Sequence, residues 1–108
     1  MQEKIYKYNF TKEYTRYPGG RLSTHGPYSG EEFREKVLLP LLKEHEKVEI
    51  DLNGAVGYGA TFIDEAFGEL GHIYGFEEAL NKVNFVCDDD PDLVKMIWEK
   101  IEKASKDN

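Results

Sequence analysis

A glycine-rich stretch that joins an apolar run to a helical pattern carries the residue types best suited to chemistry. Gly54, Gly57 and Gly59 follow the alternating run at residues 48–52, and Thr61 precedes residues with helical apolar spacing. A helix that begins after such a turn has unpaired backbone N–H groups in its first turn, and these groups stabilise negative charge. The stretch therefore indicates a functional site, where a bound phosphate or a phosphorylated Thr61 would be stabilised.

The same residues also have structural interpretations, and these are the ones we expect to hold. Thr61 is suited to cap the helix, with Asp64 three residues later as a weaker form of a capping box. The three glycines suit a tight turn with positive φ, and their order, G-x-x-G-x-G, matches neither the dinucleotide fingerprint nor a P-loop. Adjacent helix residues point about 100° apart, so Asp64 and Glu65 do not converge on one substrate atom. We expect them to complement the helix dipole, with one of them paired with Arg21 or Arg34.

The remaining candidate ligands and nucleophiles form no recognisable constellation. The three histidines and the single cysteine match no zinc-binding spacing. Residues 88–92, DDDPD, lack the glycine and the alternating ligands of a calcium loop, and suit a solvated turn before a helix capped by Asp90. Cys87 ends an apolar strand and is expected to be buried and unreactive. No arrangement typical of a nucleophilic hydrolase occurs, so we expect no enzymatic activity, metal or cofactor.

The composition is that of one globular domain. The 108 residues include 21 acidic and 14 basic side chains, which give a net charge of −7. This charge argues against non-specific binding to nucleic acid or to anionic membranes, because both need a basic face. No apolar run approaches the length of a membrane span, the first residues lack the apolar core of a signal peptide, and one cysteine cannot form an internal disulfide. These features predict a cytoplasmic protein.

The apolar patterns predict a single α/β domain with the element order β-β-α-β-α-β-α, in which about four strands form a small mixed sheet covered by helices. The predicted strands lie at residues 4–10, 21–22, 47–52 and 82–87. The predicted helices lie at residues 30–39, 61–74 and 91–104. Ser29 and Glu32 form a capping box before the first helix. Pro40 is expected to kink or end this helix near Leu39, and a distorted continuation to residue 43 is the alternative. Gly68 and Gly71 lie within the second helix and indicate close packing of that helix on a sheet, or the approach of a partner.

Two segments resemble a known family. Residues 19–42, GGRLSTHGPYSGEEFREKVLLPLL, and residues 48–70, VEIDLNGAVGYGATFIDEAFGEL, are similar to the STAS-like domain family of unknown function. That family resembles the anti-sigma-factor antagonist (STAS) domains. The resemblance spans most of the chain, from about residue 5 to about residue 100, and implies a STAS-like fold and a protein-interaction role.

The resemblance places the glycine stretch at the loop that carries the phosphorylation switch of the antagonists. Their motif, D-S-S-G, lies at the start of a helix, and its first serine controls binding to a partner kinase or anti-sigma factor. Gly59, Ala60, Thr61 and Phe62 occupy that place here, so Ala60 stands where the switch serine is expected. Only Thr61 retains a hydroxyl, one position later. The resemblance thus implies an interaction surface without the switch serine, and a histidine-kinase-type ATPase as the partner.

The leading hypothesis is a non-enzymatic, regulatory protein-interaction domain. The expected partner-binding residues are Gly57, Gly59, Ala60, Thr61, Phe62, Asp64, Glu65 and Arg21. The alternative is a nucleotide- or phosphate-binding domain, or a weak hydrolase, that uses the loop from Gly54 to Gly59. A homodimer formed through an exposed sheet edge or through the helix of Trp98 is a further alternative. We expect no nucleic-acid or membrane partner.

Overall fold

A computed structural model describes residues 4–107, and its centre is a parallel sheet of three strands in the order β1-β2-β3. The strands are β1 (Ile5–Asn9), β2 (Lys47–Asp51) and β3 (Val83–Val86). Tyr8 pairs with Ile50, and Ile50 pairs with Phe85, so that three buried side chains lie in one row across the sheet. These three side chains form the part of the hydrophobic core that lies on the sheet.

The described chain contains five helices and a short 3-10 turn, and two of the helices have a π-helical segment at their centre. The segments are α1 (Phe10–Glu13), the 3-10 turn (Ser23–His25), α2 (Gly30–Phe33, π-helical Arg34–Leu38, Leu39–Glu44), α3 (Ala60–Ile63, π-helical Asp64–Gly68, Leu70–Ile73), α4 (Phe76–Lys82) and α5 (Pro91–Ser105). Within residues 4–107, no helix combines the length and the apolar character that crossing a membrane requires.

The core lies on one face of the sheet. The strand residues that are buried all share one phase of the alternation: Tyr8, Val48, Ile50, Val83 and Phe85. The opposite phase is exposed or half-buried throughout. Parallel strands are joined by right-handed crossovers, which put successive helices on the same side when the chain moves across the sheet in one direction. The strand order therefore explains why the helical layer covers a single face.

The predicted short strand at residues 21–22 is wrong, and the described sheet is parallel with three strands instead of mixed with about four. The backbone N–H of Gly30 donates to the carbonyl of Gly20 (2.9 Å), and that of Glu31 donates to the carbonyl of Arg21 (3.0 Å). This segment therefore bonds to the start of α2 and leaves no strand to form a hairpin with β1.

Pro40 does not end the first predicted helix, which continues to Glu44. A π-helical turn lies directly before it, and the backbone N–H of Leu39 donates to the carbonyl of Arg34, five residues earlier. Proline has no N–H to donate, and its ring clashes with the carbonyl four residues before it in a regular α-helix. The widened turn accommodates both effects, so the proline produces an irregular turn in place of a helix end.

The two glycines in α3 lie against α5, and not against the sheet as predicted. A Cβ atom built on Gly71 would lie 2.1 Å from the carbonyl oxygen of Ile101 and 2.9 Å from Cβ of Ala104. A Cβ atom built on Gly68 would meet Cβ of Lys100 at 3.5 Å, which is an ordinary contact. Only Gly71 is therefore required by the close approach of the two helices.

The Gly71→Ala variant is expected to lose about 1–3 kcal/mol of unfolding free energy, because the added methyl group overlaps the backbone of α5. The Gly68→Ala variant is the matched control. It should gain about 0.5–1 kcal/mol, since alanine favours a helix and the site has room for it. Urea unfolding of both variants measures the difference. Equal stability of the two variants would contradict the close helix crossing at Gly71.

Candidate functional site

The loops that follow the three strands meet at the carboxyl edge of the sheet. The Thr11 hydroxyl after β1 donates to the carbonyl of Asn53 after β2 (3.1 Å). The backbone N–H of Gly54 donates to the Asp89 carboxylate after β3 (3.2 Å). Functional sites of open parallel α/β sheets lie at this edge. The region that sequence and resemblance indicated is thus at the expected place in the fold.

The loop between β2 and α3 is held by several hydrogen bonds. The Asp51 carboxylate accepts from the backbone N–H (3.0 Å) and from the side-chain amide (2.9 Å) of Asn53. The Tyr58 hydroxyl donates to the carbonyl of Leu52 (3.0 Å). The backbone N–H of Val56 donates to the carbonyl of Arg16 (2.9 Å), which ties this loop to the one after α1. These contacts hold the loop in one conformation.

Only one of the three loop glycines has the backbone geometry that was expected of all three. Gly54 has a φ of +91°, whereas Gly57 and Gly59 lie outside the left-handed region. A Cβ atom built on Gly57 or Gly59 would meet no atom within 4 Å. Their lack of a side chain is therefore not required by the fold, and it leaves the backbone of the loop open to an approaching molecule.

Thr61 does not cap α3, contrary to the expectation. The N-cap is Gly59, no side chain caps this helix, and Thr61 is the second helical residue with an exposed side chain. Phe62 is completely buried and packs against Phe10 and Tyr58 with ring centroids 5.9 and 6.1 Å apart. Of the four residues at the switch-motif position, Gly59, Ala60 and Thr61 are exposed and Phe62 belongs to the core.

The start of α2 adjoins the site through the Ser29 half of the predicted capping box, because the Glu32 carboxylate bonds to Tyr14 and not to the backbone of Ser29. The buried Ser29 hydroxyl accepts from the backbone N–H of Glu32 (3.0 Å). The Glu32 carboxylate accepts a hydrogen bond from the hydroxyl of Tyr14, and burial together with this bond raises the pKa of Tyr14. The Tyr14 ring lies edge-on to Tyr28, whose φ of +59° is rare for a residue with a side chain.

Asp64 and Glu65 form a network of ion pairs that joins three parts of the structure. Arg34 of α2 lies 2.7 Å from the Glu65 carboxylate and also donates to the Glu65 carbonyl. Lys100 of α5 lies 2.8 Å from the Asp64 carboxylate. Arg21 lies 3.5 Å from Asp64 and 3.8 Å from Glu65. The predicted pairing of these acids with Arg21 or Arg34 is confirmed.

The network borders a groove between α3 and α5. The groove has a volume of about 270 Å³, and Arg21, Asp64, His72 and Lys100 are among the residues that line it. The Glu69 carboxylate, 2.9 Å from the His72 ring nitrogen, raises the pKa of His72.

The structure separates the predicted site residues into an exposed loop (Gly57, Gly59, Ala60 and Thr61), a buried residue (Phe62) and an ion-pair network (Arg21, Asp64 and Glu65).

Cys87 is buried as expected, and it helps to fix the turn after β3. Its thiol donates to the Asp89 carboxylate (3.0 Å). Burial of the thiol is the main reason that the pKa of Cys87 is raised to about 12. Hydrogen bonds from Cys87 and from the backbone N–H of Gly54 lower the pKa of Asp89. The thiol therefore stays protonated at neutral pH and the carboxylate stays ionised. Within residues 4–107, no three His, Cys, Asp or Glu side chains are arranged to hold a metal ion.

Charged side chains are absent from two stretches near this edge, one that runs through the loop between β2 and α3 and one that precedes α2. Residues 52–63 and residues 22–30 contain no Asp, Glu, Lys or Arg and are the longest such stretches of a chain that is 32% charged. Val56 in the first stretch is 73% exposed, and Tyr17, next to the Arg16 carbonyl that Val56 contacts, is 67% exposed. These are the largest exposed fractions among the bulky apolar side chains of residues 4–107.

Tyr17 and Val56 were missed in the sequence, although the uncharged stretch 52–63 is visible there. We call the exposed residues at the carboxyl edge of the sheet the edge surface. It comprises Tyr17, Val56, Gly57, Gly59, Ala60 and Thr61. The backbone contact between Val56 and Arg16 brings its two parts together, and no sequence pattern shows that contact.

Comparison with known proteins identifies one family. A family model described as a STAS-like domain of unknown function matches residues 29–93. The match includes both helix starts and the complete loop between β2 and α3. No curated protein and no solved structure matches the chain.

The ion pair between Arg34 and Glu65 is expected to stabilise the fold far more than the pair between Arg21 and Asp64. The first pair is 12% and 15% exposed, and the second is 43% and 40% exposed. Removing one partner of a buried pair costs about 3 kcal/mol, whereas an exposed pair contributes less than about 1 kcal/mol.

Double-mutant cycles measure both couplings by urea unfolding. Arg34→Met with Glu65→Gln should show a coupling of about 2 kcal/mol, and Arg21→Met with Asp64→Asn should show less than about 1 kcal/mol. A larger coupling for the exposed pair would contradict the role assigned to Arg34.

Proposed function

The chain belongs to the family of STAS-like domains of unknown function, and we propose that it is a non-enzymatic, regulatory interaction domain whose protein partner binds the edge surface. The absence of charge from the exposed residues of the stretch 52–63 is the observation that carries this proposal. Depletion of charged residues and enrichment in aromatic residues mark the centres of protein–protein interfaces. Tyr17 and Val56, the most exposed bulky apolar side chains of residues 4–107, provide the apolar centre of the edge surface.

The conformation of the edge surface supports the same proposal. The hydrogen bonds of Asn53, Val56 and Tyr58 hold the loop before any partner arrives. Phe62 anchors the start of α3 in the core and so fixes the positions of Ala60 and Thr61. A surface that is already ordered loses less conformational entropy on binding.

The partner we propose is a histidine-kinase-type ATPase, by analogy with the partner kinases of the anti-sigma-factor antagonists. Ala60 stands at the position of the switch serine and has no hydroxyl group that could be phosphorylated. We therefore propose that binding does not depend on phosphorylation of that position. Thr61 is exposed in the first turn of α3 and is the only residue of the motif with a hydroxyl group.

We propose that the protein is cytoplasmic, because a free thiol such as that of Cys87 is stable in the cytoplasm.

The alternative, a nucleotide- or phosphate-binding loop, has less support from the geometry. A phosphate cradle needs free backbone N–H groups. The N–H groups of Asn53, Gly54 and Val56 already donate to Asp51, to Asp89 and to a backbone carbonyl. The ionised Asp89 carboxylate would also repel a phosphate next to Gly54.

A thermal-shift experiment with ATP, GTP and inorganic phosphate, each with and without Mg²⁺, separates the two functions. We expect no shift in melting temperature, because the N–H groups of Asn53, Gly54 and Val56 are occupied and the Asp89 carboxylate adjoins the loop. A true ligand at 100 times its dissociation constant would add about 2.7 kcal/mol of stability. A shift that disappears in the Gly57→Val variant would favour the phosphate-binding function over ours.

Site-specific photocrosslinking tests the interaction function. A photoreactive amino acid at Thr61 should crosslink to a partner in cells that express the ATPase, because Thr61 is an exposed residue of the edge surface. The same amino acid at the exposed Glu78 serves as the control, because α4 leads into the amino end of β3 at the opposite side of the sheet. The crosslinked product is identified by its mass and by peptide sequencing.

The yield of this product should fall at least tenfold when Val56→Asp is added, since the substitution places a charge in the apolar centre. Equal yields from Thr61 and Glu78 would contradict the proposal. A product with twice the mass of the chain would instead identify a homodimer. Circular dichroism establishes that each variant is folded.

A further inference from the structure

We infer that the partner's contact surface is an apolar projection bordered by lysine or arginine side chains, which face the turn at residues 88–90. This inference rests on the proposed interaction function and specifies the chemistry of the partner. It follows from the arrangement of charge around the edge surface.

One border of the edge surface is acidic. Asp88, Asp89 and Asp90 are consecutive and exposed. Asp89 accepts from the backbone N–H of Gly54 (3.2 Å), and Asp88 approaches the Asn53 amide (3.5 Å). Asn53 and Gly54 belong to the same loop as Val56. These contacts therefore place the acidic turn beside the uncharged loop.

The carboxylates of this turn have no basic partner within residues 4–107. Asp89 is occupied by its hydrogen bonds with Cys87 and Gly54 and holds the loop in place. Asp88 and Asp90 are then the carboxylates that can meet a second molecule. An exposed carboxylate without an ionic partner attracts a cation of an approaching protein and orients it.

The other border contributes much less net charge. Arg16 is exposed next to Tyr17, and Arg21 is already paired with Asp64 and Glu65. The edge surface therefore presents an apolar centre with negative charge on one side. A protein with an apolar side chain for the centre and cations for residues 88–90 complements both features. A nucleic acid or an anionic membrane does not, since its negative charge would face these carboxylates.

A display library tests this chemistry without the natural partner. The library presents a small three-helix scaffold with one randomised helix face, and it is selected on the intact chain after removal of members that bind the Val56→Asp variant. We expect the selected binders to carry an aromatic or large aliphatic residue flanked by lysine or arginine. Their affinity should fall about three- to tenfold for the variant Asp88→Asn/Asp90→Asn and should weaken as the salt concentration rises.

The variant Glu77→Gln/Glu78→Gln on α4 removes the same charge from the opposite end of the sheet and should bind with unchanged affinity. Binders without an excess of basic residues, or with full affinity for the Asp88→Asn/Asp90→Asn variant, would overturn the inference. If Thr61 still crosslinked to a partner in that case, the interaction function would stand and only the assigned partner chemistry would be wrong. Failure of the crosslinking alone would count against the function itself.

Discussion

The chain crosses its sheet in one direction, from β1 through β2 to β3, and its right-handed crossovers leave the covering helices on one face. This single constraint determines where the other features lie. The buried phase of each strand faces the helical layer, and the three strand ends come together at one edge with the starts of α2 and α3. The loops that carry the uncharged stretches therefore become neighbours, although residues 22–30 and 52–63 are distant in sequence.

The helical layer holds the edge surface through close packing and buried charge. A Cβ atom built on Gly30 would lie 2.7 Å from the Phe62 carbonyl, so α2 and α3 touch at their backbones near the carboxyl edge. Arg34 adds a half-buried ion pair to Glu65 one turn further along. Phe62 fills the core beneath this contact. The exposed residues of α3 are thus fixed by contacts on its hidden side.

Local patterns predicted much of the fold, whereas contacts between distant segments determined the parts that differed. The apolar alternation at residues 47–52 predicted β2. The hydroxyl of Ser29 predicted the start of α2, because it bonds to a backbone N–H only three residues later. Gly20 and Arg21 bond to the start of α2, which no local pattern shows. The resemblance to the switch motif assigned Phe62 to the binding surface, but its side chain is buried in the core. The approach of the segments that carry Tyr17 and Val56 depends on one long-range backbone contact, between Val56 and Arg16.

Hydrogen–deuterium exchange of the chain, free and in complex with its captured partner, measures the central claim most directly. The edge surface is assigned as the binding site, so amide exchange should slow at residues 54–61 and 15–18 and at the turn formed by residues 88–90. Exchange in α4 and on the open face of the sheet should stay unchanged. Protection confined to α4, to the last turns of α5 or to the edge of β1, with residues 54–61 exchanging as in the free chain, would contradict this assignment.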